Sequence, residues 1–82
     1  MHEVAIAQSI LDIVTDVARE NNAQKILNLT LKAGELSCVN LDSLQFVFSC
    51  ISQKTMAEGA TILVDRVKGA PFVLEVESIE VE

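Results

Sequence analysis

The most constraining feature of the sequence is the wide apolar face of residues 3–21. In a helical projection, the polar side chains of this segment share the opposite face, for example Asp12, Asp16 and Arg19. The apolar side chains form two adjacent stripes: Val4, Ala7, Leu11, Val14 and Ala18, and Ile6, Ile10, Ile13 and Val17. A helix with so wide an apolar face needs a flat partner, so we expect it to lie on a β-sheet. Asn21-Asn22 should end it, because asparagine tolerates the left-handed conformation.

Three segments have the pattern of β-strands. Residues 25–33 place Leu27, Leu29, Leu31 and Ala33 on one face and Asn28, Thr30 and Lys32 on the other. Residues 60–67 and 72–81 are the second and third strands. The alternation of the third strand slips by one residue. A bulge near Glu77-Ser78, or a strand end covered on both faces, would explain the slip.

A second helix is predicted between the first two strands, after a loop at residues 35–39. Asn40 is a favourable N-cap, and the helix should run to about Lys54. The predicted order is helix, strand, helix, strand, strand, which gives an α+β fold with two helices on one face of a three-stranded sheet. The short turn at residues 68–71 predicts that the second and third strands pair antiparallel. With 82 residues, the chain should form a single domain, residues 1–82.

The charge of the chain excludes several classes of partner. It has six basic and twelve acidic residues, a net charge of −6, and no clustered Lys/Arg patch. Such a surface repels phosphate backbones and anionic lipid, so we expect neither nucleic-acid nor membrane binding. No run of apolar residues is long enough to span a membrane, and the first residues do not resemble a signal peptide. A cytoplasmic location is therefore expected.

The cysteine pattern argues against a zinc site. Cys38 and Cys50 are the two cysteines, and no Cys-x-x-Cys pair is present. The chain alone is therefore not expected to bind zinc. Both thiols are expected to be buried or half-buried in a reducing compartment, as free cysteines commonly are, and a disulfide between them is the alternative.

Residues suited to catalysis are scarce. The chain has one histidine, at position 2, and no phosphate-binding glycine loop. The glutamates near the C-terminus are explained by an edge strand that uses charge to prevent aggregation. They are Glu75, Glu77, Glu80 and Glu82. We do not expect an enzyme.

The opening Met1-His2-Glu3 is the candidate metal site. A metal bound at the Met1 amine can also bind the deprotonated His2 backbone nitrogen and the His2 imidazole, and the Glu3 amide can complete a plane. Square-planar nitrogen ligation suits Ni(II) and Cu(II) rather than Zn(II). The alternative is a solvent-exposed terminal histidine without a role, since chain termini tolerate many residues.

Four segments together resemble the HypA/HybF family of hydrogenase nickel-insertion proteins. They are Met1–Ser9, Gly34–Ser37, Ala57–Ala60 and Ser78–Glu82, in the family's order. The resemblance implies a nickel metallochaperone domain that binds Ni(II) through Met1, His2 and Glu3. It also implies two partners, a GTPase of the HypB type and the hydrogenase large subunit, and in some bacteria a role for urease.

The sequence departs from that family in one large respect. Family members have a zinc module with two Cys-x-x-Cys pairs between the last two strands, whereas only residues 68–71 separate Val67 from Phe72 here. The missing module puts in doubt any control that it exerts on nickel affinity, but it does not affect Met1, His2 and Glu3. An alternative function is a metal-free interaction or oligomerisation module, for example a homodimer. Nickel titration separates the two hypotheses.

Overall fold

The computed structural model describes residues 2–34, 40–69 and 73–82, apart from the His2 side chain. Its elements follow the order predicted from the sequence. They are helix α1 (His2–Glu20), strand β1 (Ile26–Gly34), helix α2 (Leu41–Ile51), strand β2 (Thr61–Val67) and strand β3 (Leu74–Val81). The α+β class and the α-β-α-β-β order are confirmed. The predicted loop at residues 35–39 and residues 70–72 of the predicted turn lie outside the described residues.

Helix α1 ends at the predicted asparagines in a Schellman motif. Asn22 has a φ of 57°. The Asn22 N–H donates to the Arg19 carbonyl oxygen at 3.0 Å, and the Ala23 N–H donates to that of Ala18 at 2.9 Å. These two bonds satisfy carbonyl groups that the last helical turn would otherwise leave without a partner. The chain then turns back directly into β1.

The pairing of the strands differs from the prediction. The sheet order is β2-β1-β3. β1 pairs with β2 in parallel and with β3 antiparallel. The predicted antiparallel hairpin of β2 and β3 is therefore wrong, because β1 lies between them.

The connection through α2 explains this topology. A strand, a crossover helix and a second strand form a β-α-β unit, whose strands are parallel neighbours. β3 then pairs with the other edge of β1. It therefore lies two strand spacings, about 10 Å, from β2. Residues 68–73 reach that far easily, since six extended residues span about 20 Å. At the end of β1, the Gly34 N–H donates to the Val73 carbonyl oxygen just before β3, at 2.7 Å.

The central strand β1 supplies much of the core. Leu29 and Leu31 are 0% and 1% exposed, and they pack with the inward faces of both helices. At the start of β1 the buried residue is Ile26, whereas the predicted Leu27 is only half-buried. The register shifts between Ile26 and Asn28, which explains why the alternation changes phase there.

The slip in the third strand is a bulge, as one of the two sequence interpretations proposed. Thr30 pairs with Ser78, whereas Leu31 pairs with Val76, so that Glu77 is the extra residue. The bulge lets residues of both parities face the helices. Leu74, Val76 and Ile79 pack against the core.

Two polar side chains position helix α2. One caps its N-terminus, and the other links it to β2. The Ser43 N–H donates to the Asn40 side-chain oxygen at 2.9 Å, which confirms the predicted N-cap. Gln45 joins the helix to β2, because its side-chain oxygen accepts from the Ile62 N–H at 2.8 Å. In the described ranges of the chain, no helix is long and apolar enough to cross a membrane.

We predict that Asn40→Ala lowers the free energy of unfolding by about 1 kcal/mol, because the first turn of α2 loses its cap. Urea denaturation followed by circular dichroism measures the change. Ser43→Ala is the matched control, since Ser43 contributes its backbone N–H to the cap. It should change stability by less than about 0.5 kcal/mol, as exposed substitutions usually do. Equal losses for both variants would show that the cap is not the cause.

Candidate metal centre at the start of the first helix

The three predicted ligands stand at the start of α1. Met1 lies outside the described residues, and so does the side chain of His2. The backbone of His2 is the first residue of the helix, and Glu3 is an acidic, half-buried residue of its first turn. The structure thus describes the backbone on which the site is built, whereas the placement of the amine and the imidazole stays a prediction.

The helical backbone suits chelation by successive peptide nitrogens. The backbone nitrogens of two successive residues bind one metal only when the ψ angle of the first residue is small. Both nitrogens then lie on the same side of the bond between Cα and the carbonyl carbon and can reach one metal. An α-helix has ψ of about −42°, which is much closer to roughly 0° than the value of about +135° in a strand. Since α1 begins at His2, the nitrogens of His2 and Glu3 need a small rotation to chelate.

The start of a helix also lowers the cost of replacing an amide proton by a metal. The first N–H groups of a helix have no carbonyl one turn earlier to which they could donate. A metal on the His2 nitrogen therefore breaks no bond of the helical ladder. The partial positive charge at the helix start opposes a cation, but two deprotonated amides and the Glu3 carboxylate have the opposite sign.

The fold places the beginning of α1 near the start of β3. Residues 21–25 join the end of α1 to the start of β1, so the helix runs back along the sheet. Ala5 and Ile6, near the start of α1, line the same groove as Leu74 and Glu75, near the start of β3. The candidate metal motif therefore stands at the end of α1 that is near the start of β3, and the resemblance places the zinc module of longer family members before that strand.

The described residues do not offer a competing metal site. No group of three or more His, Cys, Asp or Glu among them could hold a metal ion.

Cys50 is exposed on α2, which contradicts the prediction that it is buried or half-buried. Its position on the helix explains this, because Leu44 and Phe48 take the buried stripe. Cys38 lies outside the described residues.

Sequence reasoning missed an apolar surface on the flank of α1. Ile13 and Val17 were assigned to the buried face of α1, but they are 48% and 37% exposed. The signal was present in the sequence, since the apolar face of residues 3–21 is wider than one three-stranded sheet and one neighbouring helix can cover.

Comparison with known proteins identifies the family. The family model described as "Hydrogenase/urease nickel incorporation, metallochaperone, hypA" matches residues 1–72. The hydrogenase maturation factor HypA of Syntrophus aciditrophicus is 43% identical over 65 residues, which cover 79% of this chain and 57% of that protein. The one from an Azoarcus species is 33% identical over 79 residues, or 96% of this chain and 69% of that protein. The chain thus spans little more than half the length of the first of these relatives.

The fold is similar to solved structures of the same group. The solution structure of the Ni metallochaperone HypA from Helicobacter pylori superimposes with a TM-score of 0.71 at 16% identity, covering 93% of this chain and 70% of that one. A second solution structure of a HypA protein gives 0.69 at 15% identity, covering 99% and 85%. At such identities the likeness shows the fold alone. Since the family model spans well over half of the sequence, the chain belongs to the HypA family.

Proposed function

We propose that the chain is a nickel metallochaperone domain that binds one Ni(II) at its N-terminus. The ligands are the Met1 amine, the backbone nitrogens of His2 and Glu3, and the His2 imidazole. The observation that supports this most directly is the start of α1 at His2, which brings the two backbone nitrogens toward a chelating arrangement. Membership of a family described by nickel incorporation gives the second line of support.

The proposed mechanism is ligand exchange without catalytic turnover. A chelate made of the first three residues stands at the end of the fold and outside its core. Protonation of an amide or of the imidazole opens one edge of the plane, and a ligand of the acceptor can then enter. Release requires no unfolding, because the buried residues nearest in sequence, such as Ala7 and Ile10, keep their packing.

The proposal includes the partners that the family resemblance implies. They are a GTPase of the HypB type and the hydrogenase large subunit, with urease maturation as a second possible destination. No zinc is expected on this chain, because its sequence has no Cys-x-x-Cys pair. A cytoplasmic site of action stays a prediction.

Replacement of the histidine tests the ligand set. We expect His2→Ala to lower the affinity for Ni(II) by at least about 100-fold, because even residues that only support a ligand cost 10–100-fold when they are replaced. Isothermal calorimetry of the chain with a free Met1 amine, followed by visible absorption of planar Ni(II), measures this. Cys50→Ser is the control and should bind one nickel as the parent does. Loss of binding in Cys50→Ser would implicate a thiolate site instead.

Extension of the N-terminus tests the role of the amine. A Gly-Ser extension before Met1 leaves the His2 side chain in place but moves the α-amine two residues away. We expect it to abolish the planar spectrum and to weaken nickel binding to the level of His2→Ala. Unchanged affinity and spectrum in the extended chain would show that the imidazole binds nickel without the terminal chelate.

The pH dependence distinguishes backbone nitrogens from side chains as ligands. Each nickel should displace two amide protons, so the apparent affinity should fall by at least about 100-fold for each unit of pH decrease. Affinities measured by competition with a chelator of known pH dependence, at several values between pH 6 and 8, give this slope. A site made of the His2 imidazole and carboxylates would show a tenfold change or less per unit, and such a slope would contradict amide ligation.

The alternative function is an interaction or oligomerisation module without metal. The exposed apolar side chains Ile13 and Val17 favour some form of docking, but docking and nickel binding use different parts of α1. Nickel titration therefore shows whether the chain binds metal, independently of whether it docks to a partner.

A further inference from the structure

An apolar groove runs between α1 and the edge of the sheet. It has a volume of about 270 Å³ and is open to solvent on one side. Its floor and walls are almost entirely aliphatic, with Ser9 and Glu75 as polar members. The aliphatic side chains include Ile6, Ile10 and Ile13 of α1 and Leu31, Leu74 and Val76 of the sheet.

The strand beside this groove forms an edge of the sheet. In the order β2-β1-β3, β3 pairs with β1 and has no further strand beyond it among the described residues. An edge of this kind presents backbone N–H and C=O groups with which another strand can pair. The opposite edge differs, because Gln45 of α2 already accepts a hydrogen bond from the Ile62 N–H of β2.

The two faces of β3 differ in chemistry. Leu74, Val76 and Ile79 face the helices and pack partly against the core. The alternation along β3 directs the side chains of Glu75 and Glu80 to the other face, although Glu75 also borders the groove at the strand edge. They pair in register with Lys32 and Asn28. A strand added along β3 would continue this division, with one set of side chains in the apolar groove and the alternate set beside carboxylates.

The charge of the edge selects the occupant. Four exposed glutamates lie on or directly after β3, at positions 75, 77, 80 and 82, in a chain of net charge −6. A second copy paired through the same edge would bring its own four carboxylates against these, which is unfavourable for directly opposed side chains. A strand with lysine or arginine at alternate positions meets the same carboxylates favourably.

We propose that the outer edge of β3 and the groove beside it form a strand-addition site for an extended segment of a partner protein. The segment alternates apolar residues, which enter the groove, with basic residues, which lie beside Glu75 and Glu80. The proposal does not depend on nickel, because the groove and the edge lie outside residues 1–3.

A synthetic peptide of eight residues, alternating valine and lysine and blocked at both ends, tests this site. It is titrated into the metal-free 82-residue chain, and binding is followed by amide chemical shifts and hydrogen exchange. We expect shifts and slower exchange along β3, with β2 unchanged, and weaker binding as salt is raised. A peptide of alternating valine and glutamate should not bind, and four valines followed by four lysines should bind more weakly.

Two matched variants separate the groove from general apolar contact. Ile13 borders the groove and Leu63 lies on the opposite face of the sheet, and both are 48% exposed. Ile13→Ser should weaken binding of the valine-lysine peptide about five-fold, the effect of losing roughly half of one buried isoleucine, whereas Leu63→Ser should not change it. The double variant Glu75→Gln with Glu80→Gln should weaken it by about three- to tenfold.

Three outcomes would overturn the proposal. Equal binding of the valine-glutamate peptide would show that charge does not select the partner. Equal weakening by Ile13→Ser and Leu63→Ser would show that the groove is not the site. A stable dimer in analytical ultracentrifugation that Ile13→Ser dissociates would show that a second copy of this chain occupies the groove.

Discussion

The burial of β1 between two strands and beneath two helices is the constraint on which the rest of the structure depends. Leu29 and Leu31 are almost fully buried, and they lie in the strand that both β2 and β3 use as their partner. Once β1 is central, the crossover through α2 makes β2 its parallel neighbour and leaves the other edge for β3. The direction of α1 follows too, because residues 21–25 are too few to let the helix run other than back along the sheet. The position of the metal motif is thus a consequence of the core.

The sequence predicts local structure well because the relevant interactions are local. The Asn40 cap and the left-handed Asn22 depend on residues within a few positions, and the structure has both. The slip of alternation in β3 is visible in the sequence, but only its pairing with β1 shows that the slip is a bulge. Strand pairing depends on which edge of β1 each strand occupies, and the length of the turn at residues 68–71 does not contain that information. The error about Cys50 has a similar origin, since its exposure is decided by how α2 lies against α1 and the sheet. The candidate ligands were found from sequence because they are adjacent residues and need no tertiary structure to bring them together.

The helical start of α1 changes the physical meaning of the Met-His-Glu motif. In an unstructured terminus, the metal would have to order the backbone as well as displace amide protons, and each ordered residue costs about 1–2 kcal/mol. Here the backbone from His2 onward is already helical, so part of that ordering is achieved by the packing of Ala7, Ile10 and Val14 on the sheet. If the chain binds nickel as proposed, replacement of distant residues that loosens this packing would therefore weaken the binding without removing any ligand.

The same helix links the two proposed sites. Ala5 and Ile6 line the start of the groove beside β3, and they follow the proposed ligands by less than one helical turn. One end of a strand docked along β3 would lie beside the proposed chelate at the start of α1. The apolar side chains of that strand would lie in the groove, further along α1. Because the proposed ligands are at the helix end and the groove is on its flank, docking would leave the edge of the proposed nickel plane accessible. A partner that presents both a basic, apolar strand and a free ligand at one end would thus bring its own ligand to the metal, and the docking energy would raise the local concentration of that ligand.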